Sequence, residues 1–423
     1  MTCPHPILFQ GATLLPGGGD WLPRKGIDVL VQAGRIAAID AAPQVPPDTE
    51  VVPAAGLLLL PAFVNAHTHS PEALARGRAP MARLDAWLAA EYAEGLDGLD
   101  AAAIRRAVLI SAAEAVRGGA VAVTDHFRQI PPSVEALRTA AAAWAEGGIR
   151  ARVALMLRDL PSPTASVAPP STAEALAIAR AALAARPMAC EIGLGPSAPQ
   201  RCSDALLRGL ADLARDAGAF LHLHVCETAK DRADIMARFG QEPVAALEAL
   251  GVAGDSVEYA HCVHLSDTDL NRMAAAGTRF LHNPVANLRL GSGIAPVARA
   301  RARGVTVRIG TDGPGSNDTQ DMLEAAKLAL LLPRAGRPDA EWPEPAAVLE
   351  MATGSHRLEP GANADLIAFD PRAPGFVTTR ADEWLPRLLL ATRALDLVHV
   401  LGGGAWLLRD RALVPACLRE VAA

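Results

Sequence analysis

A chain of 423 residues, 51% of them hydrophobic, carries enough apolar side chain for one large core and a smaller second one. Its formal net charge of -6 comes from 40 basic and 46 acidic residues scattered without blocks, which excludes a basic stripe for nucleic acid and a polybasic membrane patch. Six cysteines without a CxxC pair exclude a disulfide framework and a cysteine zinc knuckle, so Cys3, Cys190, Cys202, Cys226, Cys262 and Cys417 are expected as buried thiols in a reducing compartment.

The first residues, Met1 to Pro6, lack a charged start and a long apolar stretch, and no later run reaches about 18 apolar residues. A cytoplasmic protein with a small-molecule partner is expected. Residues 1–60 carry short β signals at 7–9, 26–31 and 35–39, broken by Pro16-Gly17-Gly18-Gly19 and Pro46-Pro47. Between 61 and 358 the texture changes to apolar strand, then Ala/Leu/Arg helix, repeated. Strands are predicted at 63–67, 120–125, 152–157, 189–195, 220–224, 257–261, 279–282 and 305–312, with helices including 104–117, 134–146, 172–186, 204–217 and 319–331. Eight repeats predict an α/β fold, a closed (β/α)8 TIM-like barrel; an open doubly wound sheet has similar local texture, and no GxGxxG phosphate loop is present. Residues 359–423 return to short β signals at 365–369, 397–401 and 406–408. Both chain ends are expected to join in one small composite β-sandwich domain.

The chemistry-bearing residues fall at predicted strand ends. His67 and His69 alternate after the apolar run from Leu57, so their side chains share a face and can grip one metal ion. Asp125 and His126 close the second strand, His224 the fifth, His261 the sixth and Asp312 the eighth. Active sites of barrel enzymes sit on that rim. Three neutral imidazoles and one carboxylate, His67, His69, His224 and Asp312, suit Zn²⁺ or Fe²⁺. A catalytic site of this kind keeps an open position for water, from which Asp312 can accept a proton. Glu227 is placed to shuttle protons to substrate, or to favour the helix beginning near Thr228 by ~0.3–1 kcal/mol. His261 is placed to touch water or substrate; His222 lies deeper in its strand, as a packed or supporting histidine, and His264 reads as structural. Candidate substrate contacts are His126, Arg158, Ser197, Gln200 and Asn287. Arg158 can hold an anionic group or pair with Asp159, Asn287 can brace its own turn, and Trp87 and Trp144 read as core.

These motifs resemble the amidohydrolase superfamily, in the branch of cytosine, guanine, S-adenosylhomocysteine and 5-methylthioadenosine deaminases and the related triazine hydrolases. The likeness runs along nearly the whole chain: Pro61-Ala62-Phe63-Val64-Asn65-Ala66-His67-Thr68-His69, Arg76-Gly77, Gly119 to Asp125, His222-Leu223-His224-Val225-Cys226-Glu227-Thr228, Ala260-His261-Cys262-Val263-His264, His282-Asn283-Pro284-Val285-Ala286-Asn287, Gly310-Thr311-Asp312-Gly313 and Leu358 to Leu366. It implies metal ligation by His67, His69, His224 and Asp312, proton transfer by Glu227 and orientation of water by His261. It also implies a C–N hydrolase in which hydroxide attacks the amine-bearing carbon of a purine, pyrimidine, pterin or triazine ring and ammonia leaves. The lysines are Lys25, Lys230 and Lys327, none at the end of the fourth strand, so one ion per subunit is expected rather than a lysine-bridged pair. A homodimer is expected. Ser197 and Gln200 stand where adenosine-type deaminases carry histidine and tyrosine, and the stretch Met351 to Gly361 is shorter than usual, altering either the rim or a subunit contact. Alternative readings are release of chloride or alkylamine, or cleavage of an acyclic amide, by the same centre. A catalytically silent binding barrel is opposed by the complete set of candidate ligands.

Overall fold

Apolar runs flanked by helix-capping residues form the predicted barrel. The computed structural model describes residues 5–40, 42–79, 81–93, 95–161, 167–186, 188–372 and 383–422. Its barrel strands are β1 (Phe63–Thr68), β2 (Ala120–Phe127), β3 (Arg150–Leu157), β4 (Glu191–Pro196), β5 (Leu221–Val225), β6 (Val257–His261), β7 (Arg279–His282) and β8 (Val307–Ile309). Each pairs with its sequence neighbour in parallel. The Asp312 N–H donates to the His67 carbonyl at 2.9 Å and ties the last strand to the first. β8 stops three residues short of Asp312, whose φ of 65° takes the chain out of the extended region.

The outer helices begin where a side chain satisfies an orphan N–H. Asp100, Ser133, Ser171, Ser203, Thr228 and Ser266 each accept from the backbone two or three residues into the helix that follows. Asp321 does the same, so the helix expected from 319 runs instead over Met322–Leu331. Leu, Val and Ala from helices and strands bury into one large core between the two layers.

Both chain ends are hydrogen-bonded into a single nine-stranded sheet. Leu58–Pro61 pairs in parallel with Ile7–Leu14 and antiparallel with Leu366–Phe369, then passes through Ala62 directly into β1. This sheet has its own core around Phe9, Val29, Leu59 and Leu366. A bidentate ion pair joins it to the barrel: Arg150 Nη1 and Nη2 lie 2.8 and 2.7 Å from the Asp365 carboxylate.

The short stretch 351–361 leaves its helix at Gly354, φ 68°, and docks on the end sheet, where the Leu358 N–H donates to the Pro16 carbonyl at 2.8 Å. Gly354, His356 and Asn363 surround the mouth where the strands begin, beside Val64, Arg150 and Arg279. The stretch therefore sits at the barrel end away from the strand-end histidines, not on their rim. Cys190, Cys202, Cys226, Cys262 and Cys417 are free thiols, and Cys3 lies outside the described residues. Among the described residues no helix is long and apolar enough to cross a membrane.

Candidate active site

The barrel brings residues almost 250 positions apart to one point because each closes a strand. His69 Nε2 lies 3.1 Å from His224 Nε2. Asp312 Oδ1 lies 3.2 Å from His67 Nε2 and 3.4 Å from His69 Nε2. Four ligands at about 2.0–2.1 Å from one tetrahedral ion stand ~3.4 Å apart, so these spacings fit a shared cation. His67 Nε2 and Asp312 Oδ1 are buried and make no hydrogen bond, as donors reserved for an ion would be.

Each ring's second nitrogen fixes its orientation. His69 Nδ1 donates to the His126 carbonyl at 2.8 Å, and His224 Nδ1 to the Ser197 carbonyl at 2.6 Å. His67 Nδ1 is 2.6 Å from His222 Nε2, and His222 Nδ1 is 3.0 Å from Glu258 Oε2. With the carboxylate accepting from His222, and His222 in turn from His67, the His67 Nε2 lone pair faces the centre. Burial lowers the pKa of His67, His69 and His224 and keeps them neutral. Burial would raise Asp312, but the neighbouring His67 and His261 outweigh it and hold the carboxyl well below the ordinary range.

Glu227 stands beside these donors without being tied up by its helix. Thr228 and Asp231 form the capping box there, reciprocally bonding their side chains and backbone, so the N-terminal role foreseen for Glu227 is already filled. Ser292 Oγ donates to Glu227 Oε1 at 3.1 Å, and His261 Nε2 is 3.8 Å from Oε2. Burial raises the Glu227 pKa to about 7, against the opposing pull of His261. His261 has the reverse balance: burial lowers it, but Glu227 and Asp312 prevail and raise its pKa. Its Nδ1 donates to Asn287 Oδ1 at 2.8 Å, and His264 Nε2 donates to the Ser292 carbonyl at 2.8 Å. Cys226, His261, Cys262 and Asp312 all have positive φ, between 50° and 71°, which concentrates backbone strain at the strand ends.

A cleft of about 650 Å³ opens over this cluster. Ser197 and Arg158 line it, as do His69, His224, Glu227, His261 and Asp312. Gln200 instead donates to Asp231 at 2.8 Å, and Asn287 is committed to His261. His126 is fully buried at the end of β2 among the rings of His69, His222 and His224, not on a surface loop. Arg158 does not pair with Asp159, whose carboxylate accepts from Thr172 Oγ1 at 2.6 Å and from the Ser203 N–H at 2.7 Å. Trp144 donates to Asp125, which also holds the Ser70 N–H, so both brace the turn after His69. Trp87, assigned to core from its helical pattern, packs with Leu84, Leu88 and Leu290 and forms a cleft wall. Arg128, Arg201, Glu72 and Ser316 also line the cleft and were not foreseen. The one signal for Arg128 was its place just after a strand end.

Comparison with known proteins is consistent with this arrangement. The amidohydrolase family profile matches residues 58–404. A 5'-deoxyadenosine deaminase from Methanopyrus kandleri is 32% identical over 374 residues, covering 86% of this chain and 84% of the relative. A 5-methylthioadenosine/S-adenosylhomocysteine deaminase from Halobacterium salinarum is 32% identical over 427 residues, 98% and 95% of the two chains. The crystal structure of an adenosine deaminase from Xanthomonas campestris with bound zinc superposes with a TM-score of 0.86 at 26% identity, over 98% of this chain and 97% of that one.

Proposed function

The chain belongs to the amidohydrolase family as a C–N hydrolase of cyclic amidines, and on that premise we propose a zinc-dependent deaminase, one ion per chain, acting on an aminated purine-type ring. One observation carries the reading: His67, His69, His224 and Asp312 turn donor atoms to a single point beside the buried carboxyl of Glu227. Zinc is supported by the three-nitrogen, one-oxygen donor set and by the zinc in the Xanthomonas campestris structure. A divalent ion at these donors supplies Lewis acidity that brings the pKa of water toward neutrality.

The protein's own groups handle the protons. Asp312 is placed to accept a proton as the water oxygen bonds to the amine-bearing ring carbon. Glu227, with a pKa of about 7, is half protonated near neutral pH and is placed to protonate the adjacent ring nitrogen. His261, anchored through Asn287, presents Nε2 toward the oxygen that develops negative charge. Breaking the C–N bond releases ammonia and leaves a ring carbonyl. The test is ammonia release from 5'-deoxyadenosine, 5'-methylthioadenosine, adenine, guanine and cytosine by metal-replete protein. Release from a purine member is expected; turnover that liberates some other group and never ammonia overturns the reading.

A further inference from the structure

One side of the cleft carries more positive charge than its surroundings neutralise. Arg158 follows β3 and is 7% exposed, yet its one hydrogen bond goes to the Val167 carbonyl at 3.3 Å. Its sequence neighbour Asp159 is engaged elsewhere, as described above. Arg128, buried after β2, is matched by Asp97 at 2.7 Å. Arg201, in the short turn Pro199–Arg201 after β4, lines the same cleft. Among the described residues no carboxylate forms an ion pair with Arg158 or Arg201. Burial lowers the Arg158 pKa, and the fields of Arg128 and Arg201 lower it further, so three guanidinium groups act on one region. A buried cation without a counter-charge is unfavourable, and a planar guanidinium fork matches a carboxylate or phosphate with two parallel hydrogen bonds.

We propose that the substrate carries an anionic substituent, a carboxylate or a phosphate, which Arg158 and Arg201 bind while its ring amine faces Glu227. This rests on the deaminase reading and narrows it, from any purine-type ring to one bearing a negative charge. Trp87, Leu84 and Leu290 supply the apolar surface against which the ring packs.

The experiment measures ammonia release by the metal-replete full chain on two matched pairs: adenosine against adenosine 5'-monophosphate, and 5'-methylthioadenosine against S-adenosylhomocysteine. The charged member of at least one pair is expected to show a kcat/KM at least 10-fold higher, expressed mainly in KM; the pair that responds tells phosphate from carboxylate. In Arg158→Gln, and separately in the less buried Arg201→Gln, that ratio should fall toward one. Equal or better use of both neutral members, or a ratio that survives both substitutions, overturns the proposal. Binding of inorganic phosphate and of acetate, followed by tryptophan fluorescence, separates this from failure of the deaminase reading. If no pair releases ammonia, a 10-fold weaker affinity for either anion in Arg158→Gln still supports the anion site. Equal affinity in wild type and variant overturns it.

Discussion

Glu227→Gln keeps the shape of the side chain and its contact with Ser292 but removes the transferable proton. Turnover is expected to fall by about 10²–10⁴-fold, the usual size of a general acid–base contribution. Metal content measured by elemental analysis should stay at one ion, since Glu227 is not among the four converging donors. Unchanged turnover would take Glu227 out of the reaction. His222→Phe addresses the opposite side of the centre: a ring of similar size remains, but His67 Nδ1 loses its acceptor and the link to Glu258 is cut. Loss of such a supporting hydrogen bond typically weakens metal affinity by about 10–100-fold. Competition with a chelator reads this directly, and an affinity equal to wild type would show that the bond does not set the orientation of His67.

At the scale of elements, the site depends on how strand ends approach one another. Gly195 near the end of β4 leaves room for the His126 ring, because a Cβ added there would stand 2.4 Å from His126 Nε2 and 3.2 Å from the Leu155 carbonyl. Gly195→Ala must therefore displace His126, whose ring neighbours those of His69 and His224, or push β4 away from β3. Overpacking of this kind costs typically about 1–3 kcal/mol. Calorimetry should record a lower unfolding temperature with reduced metal occupancy; an unaltered melting curve would mean that the strand gives way freely. The strands themselves were legible in the sequence because a parallel sheet buried on both faces leaves continuous apolar runs. The donors were legible for a related reason, since a histidine or aspartate directly after such a run has only the rim to occupy. The cleft walls were not. Gln200 and Asn287 belong to residue types that serve turns and neighbouring side chains as readily as ligands, and here they bond Asp231 and His261. Trp87 lies on a helix whose periodicity reports burial without saying whether the partner is core or cleft.

For the molecule as a whole, the acid limit of stability should be set in part by Glu258. Burial would raise its pKa, but the hydrogen bond from His222 and the charge of Arg152 outweigh it and hold the carboxyl at about 2. Arg152 Nη1 and Arg279 Nη1 lie 2.6 and 3.1 Å from Glu258 Oε1. A depressed carboxylate pKa stabilises the fold above the unfolded-state value near 4.5 and loses that contribution as pH falls through about 2. The difference of ~2.5 units corresponds to about 3 kcal/mol. Urea unfolding between pH 6 and pH 2 should therefore show a stability decline in wild type that is shallower in Glu258→Gln. Parallel pH profiles for the two proteins would remove Glu258 from that role.

The seam between β1 and β8, where the Asp312 N–H meets the His67 carbonyl, has a consequence for biosynthesis. The earliest and latest donors of the cluster meet across the same junction that seals the cylinder. A nascent polypeptide emerging from the ribosome can thus form helices and partial sheet, yet it has no complete cation trap until roughly three quarters of its length has been made. Metallation is a late event in the life of this chain, coupled to closure rather than preceding it.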